Sequence, residues 1–180
     1  CTITLDMLTG DIAELDRIQA KGITGTLENL TKVRGNIEAL NNSRIAFKTA
    51  ESFFGTENYP EAIGQYKKVI EADPNFAAAT AKIDACYNNY RSKVLAEAEA
   101  MVTAGSYESA IGMLESALTV LPNDATIQEK IILYKSKLSE LAISDALANA
   151  AVYAEAGDYA SAIRAIESQH KANPDNYQLT

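Results

Sequence analysis

The stretch Tyr59-Pro60-Glu61-Ala62-Ile63 recurs as Tyr107-Glu108-Ser109-Ala110-Ile111 and again as Tyr159-Ala160-Ser161-Ala162-Ile163. Downstream, Pro74, Pro122 and Pro174 each follow the leading tyrosine by fifteen residues. The chain has 180 residues and only nine tyrosines, too few for three such matches in one frame to arise by chance. The sequence is an internal repeat, and a repeat decides architecture before local propensity does.

Each unit reads as two helices joined by a tight turn. In the first, Ala46, Ala50, Phe53 and Phe54 fall three and four residues apart, which puts them on one helix face. Gly55-Thr56-Glu57-Asn58 supplies residues that tolerate turns. Pro60 sits at the start of the second helix, where a missing N–H costs nothing. Ala62, Ile63, Tyr66, Val69 and Ile70 form the buried stripe expected of that helix, which Asp73-Pro74 ends because the residue before proline is pushed out of helical geometry. The second unit repeats the pattern through Ala98, Met101, Gly105, Ala110, Leu114 and Leu121-Pro122. The third does so through Ala150, Tyr153, Gly157, Ala162, Ile166 and Asn173-Pro174.

These residues resemble the tetratricopeptide repeat. That family keeps a small residue in the middle of its first helix (helix A), matched by Ala50, Ala98 and Ala150, and a large apolar one a turn later, matched by Phe53, Met101 and Tyr153. Its Gly-Asp/Asn-Tyr turn is matched by Gly105-Ser106-Tyr107 and Gly157-Asp158-Tyr159, with Glu57-Asn58-Tyr59 departing at the glycine. Gln169 stands where a small or apolar residue is usual. The resemblance covers 43–180 and implies an all-α α-solenoid of stacked hairpins, with long A helices and short B helices. It also brings to mind repeat regions of exported bacterial proteins, which favours an extracytoplasmic or cell-envelope setting over a cytoplasmic one.

The prolines stand 48 and 52 residues apart, against about 34 for the family. The excess is close to whole helical turns at about 3.6 residues each, so a helix can lengthen without rotating its following face. Residues 77–90 and 125–142 hold no glycine or proline, which favours long A helices of about thirty residues over an added short helix in each gap. Upstream, Leu5, Leu8, Ile12, Leu15 and Ile18 form one stripe. Gly22 and Gly25 bracket a turn, and Thr26 is placed to cap a helix running to about residue 55. The expected organisation is a capping segment over 1–42 and extended repeats over 43–76, 77–124 and 125–180. A coiled-coil homodimer is the alternative, because the upstream stripe is near 3.5 spacing.

The net charge of −8 disfavours nucleic acid and anionic lipid as partners. No stretch reaches the apolar length needed to span a membrane. The sequence opens on Cys1 rather than methionine, the trace expected of a removed upstream piece. Processed bacterial lipoproteins begin on a lipid-bearing cysteine, so Cys1 is a candidate lipidation site, with an arbitrary cut as the equal alternative. Two cysteines imply no disulfide framework, and Cys86 reads as a buried thiol. Pro174-Asp175-Asn176-Tyr177 is where a further helix is expected to start.

No catalytic constellation is present. His170 is the single histidine, placed to favour a helix C-terminus, and no zinc-ligand spacing, phosphate loop or nucleophile elbow occurs. The expectation is a non-enzyme with no metal and no cofactor. The resemblance implies instead that a peptide or partner helix binds the concave face of the A helices. By matching positions the lining is Arg44, Phe47, Glu51 and Phe54, then Leu95, Glu99 and Val102, then Leu147. The alternative is a structural spacer or self-association module. The family's clamp for a terminal carboxylate is disfavoured, because its basic and amide positions hold Phe47, Glu51, Ala96, Ser144 and Ala148.

Overall fold

The structure, a computed structural model, describes residues 5–20 and 27–172. These form seven helices and no strand: α1 Leu5–Ala20, α2 Leu27–Gly55, α3 Tyr59–Tyr66, α4 Phe76–Thr103, α5 Tyr107–Ala117, α6 Ala125–Glu155 and α7 Tyr159–Ala172. The fold class is all-α. α2, α4 and α6 run unbroken for 29, 28 and 31 residues. The breaker-free gaps thus extend the A helices rather than adding short ones. The turn at Gly22 and Gly25, the Thr26 cap, Pro174 and Cys1 lie outside the described residues.

Three turns have one geometry. Asn58 N–H donates to Phe53 O at 2.9 Å, Ser106 N–H to Met101 O at 2.8 Å and Asp158 N–H to Tyr153 O at 2.9 Å. The residue before each donor sits at positive φ: Glu57 at 57°, Gly105 at 79° and Gly157 at 77°. This is the six-to-one closure that satisfies helix-end carbonyls through a left-handed residue. Each reversal is therefore made without a loop. On either side of it lie the repeated alanines, with Ala50, Ala62, Ala98 and Ala110 wholly buried and Ala150 and Ala162 nearly so. Burial of so small a side chain requires a neighbouring element close to the backbone.

The chain divides into two compact units, Cys1–Ser92 and Lys93–Thr180, with the division inside α4. In the first, α2 packs against both α1 and α3. In the second, α6 packs against both α5 and α7. α3 is shorter than the stripe Ala62 to Ile70 predicts, ending at Tyr66. The reason is a buried polar cluster. Ser43 Oγ accepts from Ile70 N–H at 3.1 Å and donates to Asp73 Oδ2 at 2.7 Å, while Asp73 Oδ1 accepts from Asn75 N–H at 2.8 Å. Lys68 and Val69 N–H have already turned back to carbonyls three residues earlier, so Val69 reaches the core from outside the helix. In the second unit Leu121 takes the place of Asp73 in the frame and is buried as an apolar side chain.

Glu57 holds a backbone shape that an L side chain adopts only at a cost of roughly 1–2 kcal/mol, whereas Gly105 holds it freely. Glu57→Gly is expected to raise the melting temperature by about 2–4 °C and Gly105→Ala to lower it by a similar amount. No atom lies within 4 Å of a Cβ built on Gly105, so its loss is a backbone effect alone. Circular-dichroism melts of the two variants check this. A fall in both would show that the Glu57 side chain outweighs its backbone strain.

Candidate interaction faces

Phe47, Glu51 and Phe54 of the predicted α2 lining form one connected cluster. The Phe47 ring meets Tyr66 edge-on at 5.8 Å, and the Tyr66 hydroxyl donates to Glu51. Lys82 Nζ of α4 stands 3.4 Å from Glu51 Oε1 and 4.1 Å above the Phe54 ring, which in turn meets Tyr59 edge-on at 5.8 Å. Phe47, Glu51 and Phe54 are half-buried, and each has an internal partner. Burial, and then the bond to Glu51, raise the Tyr66 phenol well above its ordinary pKa. Cys86 is fully buried, and burial raises its thiol pKa as well.

Arg44 is used differently from the sequence expectation. Its side chain is 12% exposed, and Nε stands 3.0 Å from Asp73 Oδ1, an acid with no exposed side-chain surface. The approach is off the hydrogen-bond direction, and Nε and Nη2 find no aligned acceptor. The contact is a buried charge pair, and Arg44 offers no charge to a ligand.

In the second unit, Glu99 of α4 accepts from the Tyr134 hydroxyl at 2.7 Å and from Lys130 Nζ at 3.2 Å. Its side chain stays 60% exposed. Leu95 and Val102, four and three residues away on the same helix face, are half-buried, as is Leu147 on α6. The Tyr134 ring also meets Tyr107 edge-on at 6.3 Å. The Tyr134 hydroxyl, and then Lys130, hold the Glu99 carboxyl below its ordinary range. Burial, and then Glu99, push the Tyr134 phenol up to about 12.

The two acids occupy equivalent sites. Glu51 pairs with Lys82 and Glu99 with Lys130, each 31 residues on and the whole pair displaced by one repeat of 48. The acids are predicted site residues and the lysines are not, although Lys82 and Lys130 keep the same spacing in the repeat frame. The tyrosines were harder to find because they change places. Position 66 holds the phenol in the first copy, where Cys86 lies close enough to bear on it. In the second copy Leu114 stands at the position of Tyr66, and Tyr134 at that of Cys86.

A shallow groove of about 400 Å³ runs along α6 and α7, lined by Ala142, Asp145, Ala146, Asn149, Ala165, Ser168 and Gln169. Gln169 stands in the frame where Val69 and Ala117 are buried. His170 lies in the last turn of α7, as expected. Among the described residues no three His, Cys, Asp or Glu side chains gather as a metal site needs, and no helix is long and apolar enough to cross a membrane. No family model, curated protein or solved structure matches the chain.

Two outcomes separate structural from exposed roles. Arg44→Ala leaves Asp73 buried without its cation and should destabilise the protein by about 3 kcal/mol in urea unfolding. A change under about 0.5 kcal/mol would return Arg44 to the surface. Tyr134→Phe should raise the Glu99 pKa toward the ordinary value of about 4.3, read by carboxyl carbon-13 NMR. The folded-state pKa of Glu99 lies below its unfolded value. The stability it contributes is thus present above the unfolded pKa and lost as pH falls through the folded one. An unmoved Glu99 resonance would show that Lys130 alone sets the shift.

Proposed function

We propose that the chain is a non-catalytic, tetratricopeptide-like interaction scaffold that binds a peptide or partner helix along its A helices. The α-solenoid arrangement and an exported bacterial setting belong to the same reading, through the resemblance of the repeats. The observation that carries it is the strip Leu95, Glu99 and Val102 on α4. Glu99 remains 60% exposed although Tyr134 and Lys130 already bind it, and half-buried apolar side chains flank it. An acid between two apolar positions at helical spacing suits a ligand with apolar anchors and a Lys or Arg between them. A second reading, a structural spacer, is favoured by Phe47 and Phe54, whose rings are engaged by Tyr66 and Tyr59 inside the protein.

The test is fluorescence anisotropy with a panel of labelled helical peptides, each carrying Leu-x-x-x-Lys-x-x-Leu. Saturable binding that Glu99→Lys weakens about tenfold, with helix content unchanged, is the expected result. Binding untouched by that variant would move the ligand to another surface. No binding, together with a tight dimer in light scattering, would establish the spacer.

A further inference from the structure

Glu51 and Glu99 hold the same place in the repeat frame, but their carboxylates are engaged differently. Glu51 is taken at both oxygens: the Tyr66 hydroxyl donates to Oε1, and Lys82 Nζ stands 3.4 Å from Oε1 and 3.5 Å from Oε2. At Glu99 the two internal donors converge on one oxygen. The Tyr134 hydroxyl donates to Oε2 at 2.7 Å, and Lys130 Nζ donates to the same atom at 3.2 Å. Among the described residues no hydrogen bond reaches Glu99 Oε1. A carboxylate oxygen carries two lone pairs, so Tyr134 and Lys130 fill Oε2 while Oε1 keeps its full accepting capacity. Tyr134 is buried and its ring meets Tyr107 edge-on, so the hydroxyl that orients the carboxylate comes from a fixed base. The Glu99 side chain is thus held by one edge while most of it faces solvent.

We propose that the α4 strip selects a lysine rather than an arginine from its partner peptide, with Glu99 Oε1 receiving a single ammonium between anchors that rest on Leu95 and Val102. This selectivity rests on the peptide-binding reading of the strip and specifies its cation. Arginine gains its advantage over lysine from a planar fork that bonds both oxygens of a carboxylate at once. With Tyr134 and Lys130 on Oε2 that fork cannot close, and the guanidinium is left with one bond to the acid. A lysine ammonium is a point charge on a flexible stem and needs one oxygen only. Its methylenes can also lie along the apolar side chains beside Glu99 while the charged end reaches Oε1. Lys130 and Tyr134 are therefore positioning residues, which decide the cation by occupying the other oxygen.

The probes are labelled Leu-x-x-x-Lys-x-x-Leu and Leu-x-x-x-Arg-x-x-Leu peptides, otherwise identical, titrated by anisotropy with the full chain and its variants. The parent chain should hold the lysine peptide more tightly by about threefold or more. Lys130→Ala reopens Oε2 to the fork, so the arginine peptide should draw level with the lysine peptide or overtake it. Lys135→Ala removes the same charge from the same helix, but that lysine pairs with Glu115, and the ratio should stay as in the parent. Both lysines are partly exposed, and circular dichroism verifies that the variants fold. A parent chain that binds the arginine peptide equally or better, or a ratio that Lys130→Ala leaves unmoved, would overturn the proposal while peptide binding at the strip stands. A ratio moved as far by Lys135→Ala would overturn it too, by tracing the preference to net charge. If neither peptide binds saturably, or Glu99→Lys weakens neither, the strip is not the peptide site and the lysine preference falls with it.

Discussion

Among the described residues, each hairpin of an A helix with its B helix depends on one residue held at positive φ between them. The six-to-one hydrogen bond that closes each turn fixes where the B helix starts, because the donor is the residue just before the motif tyrosine. With no slack in the connection, the helix pairs α2–α3 and α6–α7 meet near their turns, where the buried alanines lie. Larger side chains at those alanines would have to be relieved by shifting a helix, at a cost of about 1–3 kcal/mol. Glycine meets the backbone demand freely in two copies, and Glu57 meets it under strain in the other. The repeat is thus a geometric requirement restated three times, with residue types following from it.

That requirement explains what was legible in the sequence. Turn glycines, motif tyrosines and alanines act locally, so their spacing sufficed to locate the helices from α2 to α7. The unbroken length of α4 and α6 followed from the absence of breakers. The early end of α3 was not legible, because it rests on Ser43, 27 residues upstream, taking the Ile70 amide. A periodic stripe reports which side chains are buried, and Val69 is indeed buried. It does not report whether the backbone reaches them as helix or as turn.

The face was less legible than the fold for a related reason. Matching positions find which side chains a hairpin points toward its neighbours, but lengthened A helices bring new side chains to the same place. Lys82, Lys130 and Tyr134 all come from the A helix that follows each acid, and all reach back to the acid of the preceding repeat. The aromatic partner moves from helix B in the first copy to the next helix A in the second. Tyr66 with Cys86 and Leu114 with Tyr134 are two ways to fill one space while keeping a phenol on the carboxylate. The interaction persists while its residue positions do not, so aligning the copies hides it.

This shared arrangement also grades the two acids as binding groups. Glu51 lies among Tyr66, Lys82 and the two phenylalanines, with 40% of its side chain exposed. A ligand cation arriving there must displace Lys82, which also rests on the Phe54 ring and would lose two contacts at once. Lys130 is held more loosely, since its aromatic contact is to the Tyr134 ring at 5.6 Å. Glu99 presents more surface than Glu51. Exchanging one exposed cation for another costs little, whereas breaking a cation–ring contact adds to the cost. The same acid in the same frame is therefore more accessible on α4 than on α2.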